Sequence, residues 1–262
     1  MNTDVLRFDL RLRRRVLIST ALGAAAYLLL VVAAYPAFRG DSSLNTMISS
    51  NPTAAAAFGI TGAITSPTGW LNANMYANIG PLLALLLTIG YGSNAIAGQD
   101  SDGTLSLIAT LPLTRRRILA QKTAALFVVA MTVPAASLLP CLAAPRFELH
   151  PSWGALLAVT VSSALLAFDL GGLALLVGAY TGSRGAAMGV ATTVAAAAYL
   201  IASLAPVVHV IHSIRWSSPF WWAVSNGQLG RGLSWPEAAA LVGFGIVMCS
   251  LALPAFRRLD VH

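Results

Sequence analysis

Six apolar runs, each long enough to cross a bilayer, divide this chain: about Val16–Pro36, Tyr76–Ala97, Ile118–Ala144, Trp153–Tyr180, Ala186–Val208 and Pro236–Phe256. A spanning helix needs ~20 apolar residues to cover ~30 Å of hydrocarbon. Hydrophobic residues make up 57% of the sequence and charged residues only 10%. A water-soluble fold would have no interior large enough for that much apolar surface, so the chain reads as an integral membrane protein. The runs are built from Ala, Leu, Val and Gly without the alternation of a membrane β-barrel. That predicts an all-α fold of six transmembrane helices, since only helices and closed barrels satisfy their backbone polar groups in lipid.

The basic residues orient the helices. With the N-terminus inside, segments 1–15, 98–122, 181–185 and 257–262 are inner and hold twelve of the 16 Lys and Arg; Arg39, Arg146, Arg215 and Arg231 are outer. Positive charge is retained on the cytoplasmic side, which predicts both termini in the cytoplasm. Trp70, Trp153, Trp216, Trp221, Trp222 and Trp235 all fall toward the opposite side, as an outer aromatic belt would. The net charge of +7 is thus explained by helix ends facing anionic lipid, not by nucleic acid.

Residues 1–15 carry Val5, Phe8 and Leu12 at helical spacing, with Asp4, Arg7, Arg11 and Arg14 on other faces. The pattern suggests an amphipathic helix on the inner leaflet, ahead of one membrane domain over 16–262. A twin-arginine signal starting at Arg13–Leu17 is the rival, opposed by the long apolar run and the five spans that follow. Segment 37–75 is the longest outer loop, with a short helix expected at Ala54–Phe58 and an interfacial stretch at Trp70–Tyr76.

Catalytic chemistry is not legible. The single lysine, Lys122, is preceded by Gln121, and Arg116 occupies the place where a phosphate-binding loop needs its first glycine. His209 and His212 have no neighbouring Glu, no serine lies in a Gly-x-Ser-x-Gly turn, and Cys141 and Cys249 read as free thiols. No cofactor or metal site is expected in this chain. One acid, Asp169, falls near the centre of the fourth run. An acid at mid-membrane costs ~2.5–3.5 kcal/mol on insertion scales, so Asp169 lines a transport path, makes a polar packing contact with serines or threonines of a neighbouring helix, or stands nearer a helix end than the run suggests. Ala174, Gly178, Gly182, Gly185 and Gly189 form a small-residue stripe suited to close helix approach.

Charge is concentrated in "GQDSDGTLSLIATLPLTRRRIL", residues 98–119, between the second and third runs. Its composition predicts an inner loop with a short helix from about Gly103 to Thr110 and a break at Pro112. This stretch resembles the inner loop between the second and third spans of ABC-2 type exporter permeases. The matching residues are Asp100, Asp102, Gly103, Thr104, Leu105, Pro112, Thr114, Arg115 and the later Lys122. Gln99 stands where an acid is common and Ser106 where Glu is usual, so negative charge is reduced. "ITSPTGWLNANMYANIGPLLALLL", "SPFWW" at Ser218–Trp222 and "AFRRLDV" at Ala255–Val261 are similar to other parts of such permeases, notably antibiotic exporters of actinobacteria.

The resemblance implies a non-catalytic membrane subunit of a bacterial inner-membrane exporter that moves amphipathic or hydrophobic small molecules. It further implies two P-loop ATPase subunits that hold ATP and Mg, and a second permease, identical or homologous. Segment 98–117 would be the coupling contact, with Gln99, Asp100, Asp102, Gly103, Thr104, Leu105, Pro112, Thr114, Arg115 and Arg116 as its residues. An ATP-independent transporter or channel subunit, or a membrane scaffold, are the rival readings. The charge distribution makes a direct prediction. Cysteine labels at residues 45 and 225 should react with an impermeant reagent from outside the cell, and labels at 103 and 262 should not; an outside-reactive label at 103 would overturn the topology.

Overall fold

In the computed structural model, residues 4–51, 55, 63–105 and 113–258 are described. Six of their helices are long and apolar enough to cross a membrane. They are α1 (Asp4–Phe38), α3 (Pro67–Ser101), α4 (Arg115–Cys141), α5 (Trp153–Thr181), α6 (Arg184–Leu204) and α9 (Trp235–Arg258). Short helices α2 (Ser42–Ser49), α7 (His209–Ile214) and α8 (Gln228–Arg231) lie between them, and no strand occurs among the described residues. The six expected runs each fall on one long helix.

Two differences concern ends. Residues 4–15 are not a separate element: α1 runs unbroken from Asp4 to Phe38. The face it turns inward carries Val5 and Asp9, while Phe8 and Leu12 are exposed. Helix α3 begins nine residues before the expected Tyr76, at Pro67, where Ser66 caps it by accepting from the Gly69 N–H at 3.1 Å and Pro67 occupies the first turn. Trp70 is buried against the bundle. It donates its indole N–H to the Val31 carbonyl at 2.9 Å and stacks on Phe38. Trp153, Trp216 and Trp235 are exposed, so only part of the tryptophan set can form a belt. The short helix expected at Ala54–Phe58 lies, Ala55 apart, outside the described residues.

Helix α5 is the axle, packing against α3, α4, α6 and α9, while α1 packs mainly on α4. Its composition explains the position. Ala167, Gly171, Ala174 and Gly178 present almost no side chain, so neighbouring backbones approach closely. A Cβ on Gly92 of α3 would come within 2.2 Å of the Gly171 carbonyl oxygen, and one on Gly171 within 2.8 Å of Thr88 Cβ. Ala174 and Gly178 of the small-residue stripe thus serve the α3–α5 crossing, whereas Gly189 faces open space. The stripe breaks at Gly182, whose φ of 62° ends α5, and Ser183 caps α6 by accepting from the Ala186 N–H at 3.3 Å.

The end of the bundle away from the termini is held by polar contacts to backbone. Tyr35 donates to the Thr65 carbonyl at 3.0 Å, and Arg39 pairs with Glu148. Between α6 and α9 the chain turns back into the bundle: Ser218 donates to the Ala198 carbonyl and Ser162 of α5 to the Ala223 carbonyl, each at 2.6 Å. Gln228 donates to the carbonyls of Trp221 and Trp222. Buried Glu237 accepts from Asn226, Ser234 and Arg231.

The α3–α5 crossing gives a paired prediction. Gly92→Ala forces a methyl against a backbone carbonyl and should destabilise by roughly 1–3 kcal/mol, the usual cost of overpacking. Gly90→Ala, two residues along the same helix with open space around it, should be neutral or stabilising by up to ~1 kcal/mol. Thermal melts in detergent check both; equal melting temperatures would show that the crossing is not tight.

Candidate functional site

The end of the bundle bearing both termini gathers the starts of α1, α4 and α6 and the ends of α3 and α9. At its centre is a buried polar knot. Asp9 of α1, Tyr91 and Gln99 of α3 and Lys122 of α4 are all at most 5% exposed. The Asp9 carboxylate accepts from the Tyr91 hydroxyl at 2.7 Å and from the Gln99 amide at 2.9 Å. The Lys122 ammonium donates to the Gln99 carbonyl oxygen at 2.6 Å and to Asp9 Oδ2 at 3.4 Å. Gln99 thus uses both halves of its amide, donating to the anion and accepting from the cation. Removing one partner of such a buried pair typically costs ~3–5 kcal/mol, because the other charge stays buried without compensation.

Backbone geometry brings the knot together. Each α-helical residue turns ~100°, so Tyr91 and Gln99 would stand ~80° apart around a regular helix. Between them, at Asn94–Gly98, the helix widens, and the Gln99 N–H bonds to the Asn94 carbonyl five residues back. This π turn absorbs about one residue and restores both side chains to one face, within ~20°. Gly98 makes room for it, since a Cβ there would lie 2.1 Å from Asn94 Oδ1. Gln121, beside Lys122, accepts from the Val5 and Leu6 N–H groups at 3.0 and 3.2 Å and so closes the first turn of α1. The Arg13 guanidinium lies over the Tyr91 ring, 5.2 Å from its centroid.

Immediately beyond Gln99 the chain leaves the bundle. The Asp102 N–H bonds to the Gly98 carbonyl, the Gly103 N–H to that of Asp100, and Gly103 takes φ 69°, a left-handed stop that glycine accepts without strain. Asp102 and Gly103 are exposed, Asp100 and Thr104 half-exposed, and Leu105 is buried against the core. Thr104 and Leu105 are helical; Pro112 and the rest of the short helix expected over 103–110 lie outside the described residues. On the return, Thr114 caps α4 by accepting from the Arg117 N–H at 3.3 Å. Arg115 donates to the carbonyls of Phe256 and Arg257 at 2.8 and 3.1 Å, with its guanidinium 5.6 Å from the Phe256 ring centroid. It thereby binds the C-terminal carbonyls of α9, where a cation is favoured. Arg116 is exposed.

The residues grouped by sequence therefore divide. Asp100, Asp102, Gly103, Thr104 and Arg116 present polar or flexible groups outward. Gln99 and Leu105 point inward, Thr114 caps, and Arg115 clasps α9. Asp9, Tyr91 and Gln121 went unread. One signal was available: a lone lysine inside an apolar helix requires a buried anion, and Asp9 is the acid set among the arginines of the first segment. The π turn that aligns Tyr91 with Gln99 has no such signature.

Asp169 lies elsewhere, fully buried in α5 against α9. A Cβ on Gly245 would come within 2.7 Å of its Oδ1, so that glycine leaves the space the carboxyl fills. Neither carboxyl oxygen has a hydrogen-bond partner among the described residues. The sequence alternative of a hydroxyl-bonded packing contact is thus not what the side chain makes.

No group of three or more His, Cys, Asp or Glu suited to a metal occurs among the described residues, and both cysteines are free. A family model described as "ABC-2 family transporter protein" matches residues 5–261. A search of curated proteins found no match.

Proposed function

The chain belongs to the ABC-2 family of transporter proteins, and from that premise we propose that it is the permease subunit of an ATP-driven exporter in a bacterial cytoplasmic membrane. Two separate P-loop ATPases, holding ATP and Mg, dock on segment 98–117, and a second permease, identical or homologous, completes the assembly. Both termini face the cytoplasm, so the end carrying the buried knot meets the ATPases. The cargo is an amphipathic or hydrophobic small molecule.

The observation that carries this reading is the contrast across Gln99. On one side is a satisfied, buried polar knot spanning three helices; on the other are Asp100, Asp102 and Thr104, presented outward on a glycine stop. A subunit without an ATP site needs such a contact, polar on its outer side and firmly held on its inner side, to receive work from another chain. The cargo class is what the family resemblance implies; a groove of about 450 Å³ lies between the outer faces of α3 and α6. Leu82, Leu86, Ile89, Met188 and Ala195 line it, with Thr192 and Tyr199 as its polar points. That size and lining suit an apolar molecule with few polar groups. Asp169 faces α9 instead; as a path residue it would contact cargo only where α9 parts from α5.

Reversing Asp100 and Asp102 tests the docking contact. Truncating charge-assisted contacts at a buried interface costs ~2–5 kcal/mol, which is at least tenfold in affinity. Asp100→Lys with Asp102→Lys should lower transport-stimulated ATP hydrolysis at least tenfold while membrane insertion is unchanged. Arg11→Glu with Arg14→Glu, on the exposed face of α1, should have a small effect on hydrolysis. Equal, small effects from both pairs would reduce the segment to a topology signal.

A further inference from the structure

We propose that Asp9, Gln99 and Lys122 are positioning residues of the transport cycle: they form the junction through which displacement of segment 100–105 is passed to α1 and α4. This rests on the reading that an ATPase acts on that segment. Gln99 is the last buried residue before the exposed acids, and the backbone bond from Asp102 to Gly98 ties those acids to its turn of helix. Any movement of Asp100–Asp102 toward or away from the bundle must carry Gln99 with it.

Gln99 has two attachments, one to each neighbouring helix. Its amide N–H₂ holds Asp9 on α1 at 2.9 Å and its carbonyl oxygen holds Lys122 on α4 at 2.6 Å. Asp9 is also fastened to Tyr91, about two turns back along α3 on the far side of the π turn. A push on the segment therefore meets α1 and α4 through short, directional bonds rather than through slack apolar contact.

A buried ion pair is commonly no more stable than well-packed apolar residues of the same volume, so stability alone does not account for a lysine and an aspartate here. What a hydrogen-bonded pair supplies and leucines do not is a fixed register among three helices. A bonded amide between two opposite charges has one satisfied arrangement. Sliding α3 along α1 by one residue takes the Tyr91 hydroxyl and the Gln99 amide from Asp9 and the Gln99 oxygen from Lys122, leaving the two buried charges only each other at 3.4 Å. Movement is thereby restricted to displacements in which the three helix ends travel together, as a transmission element requires. Gln121 strengthens the same joint by holding the first turn of α1 to α4.

The role separates from plain stability in reconstituted vesicles containing the chain, its partner permease where one is present, and the ATPase. Asp9→Leu combined with Lys122→Met removes both charges together; only the neutral Gln99 amide loses its partners, a smaller cost than one buried unpaired charge, and membrane insertion checks that the chain still folds. It should bind the ATPase and hydrolyse ATP as the native protein does, while transport per ATP hydrolysed falls at least tenfold. The exchanged pair, Asp9→Lys with Lys122→Asp, should recover much of that ratio, because the Gln99 amide can turn over to serve reversed charges. A second readout needs no ATPase. Gln99→Leu should raise amide hydrogen exchange in residues 4–12 and 115–124, and Ser101→Ala, exposed on the same turn, should not. An unchanged transport-to-ATP ratio in the apolar double variant, or unchanged exchange in α1 with Gln99→Leu, overturns the junction while leaving the docking reading intact. A native chain that no ATPase drives overturns both.

Discussion

A charge buried among membrane helices must be answered by a charge or by hydrogen bonds, and this bundle is organised at one end by that requirement. Lys122 lies inside α4 with no exposure, and its answer comes from two other helices, Asp9 of α1 and Gln99 of α3. A shift of α1 leaves Lys122 without its anion, and a shift of α3 strips both ions of the Gln99 amide. From that constraint follow the unbroken start of α1, the π turn in α3 and the fixed point at which the chain emerges as Asp100–Thr104.

The remainder of the bundle is built to a different rule. Around α5, contact depends on the absence of side chains, with Gly92 meeting Gly171 so closely that no Cβ fits. Such crossings are rigid because a packed interior does not deform continuously. The polar knot and the small-residue crossing thus hold α3 at two levels. The far end is fastened by hydroxyl and amide bonds to backbone, which keep residues 218–231 folded back between α6 and α9. Arg115 adds a link from the start of α4 to the end of α9, so the last helix joins the same end of the bundle as the emerging segment.

Much of this was legible in the residues. The six helices announce themselves by length and apolarity; Gly103, read as the start of a short helix, instead takes a left-handed turn after α3, and the caps at Thr114 and Ser183 emerge with the structure. Segment 98–117 stands out as a concentration of charge. What could not be read were features that depend on phase and on distant partners. Residues 1–15 have an apolar pattern at Val5, Phe8 and Leu12, yet it is Val5 and Asp9 that turn inward, because Lys122, over a hundred residues away, needs an anion. Gln99 reads as part of an exposed loop; one widened helical turn places it in the core. Asp169 was correctly marked as buried and unusual, but its companion is the space left by Gly245, and a glycine leaves no chemical trace in a pattern of apolar residues.

The claim on which the account turns is that this chain works only as part of a complex that supplies ATP hydrolysis from outside. Native mass spectrometry of the assembly released from its own membranes in mild detergent tests it most directly. The account predicts two permease chains, this one twice or paired with a homologue, together with two P-loop ATPase subunits, and dissociation of those ATPases on reversal of Asp100 and Asp102. A stable assembly that contains this chain and no ATPase would contradict it.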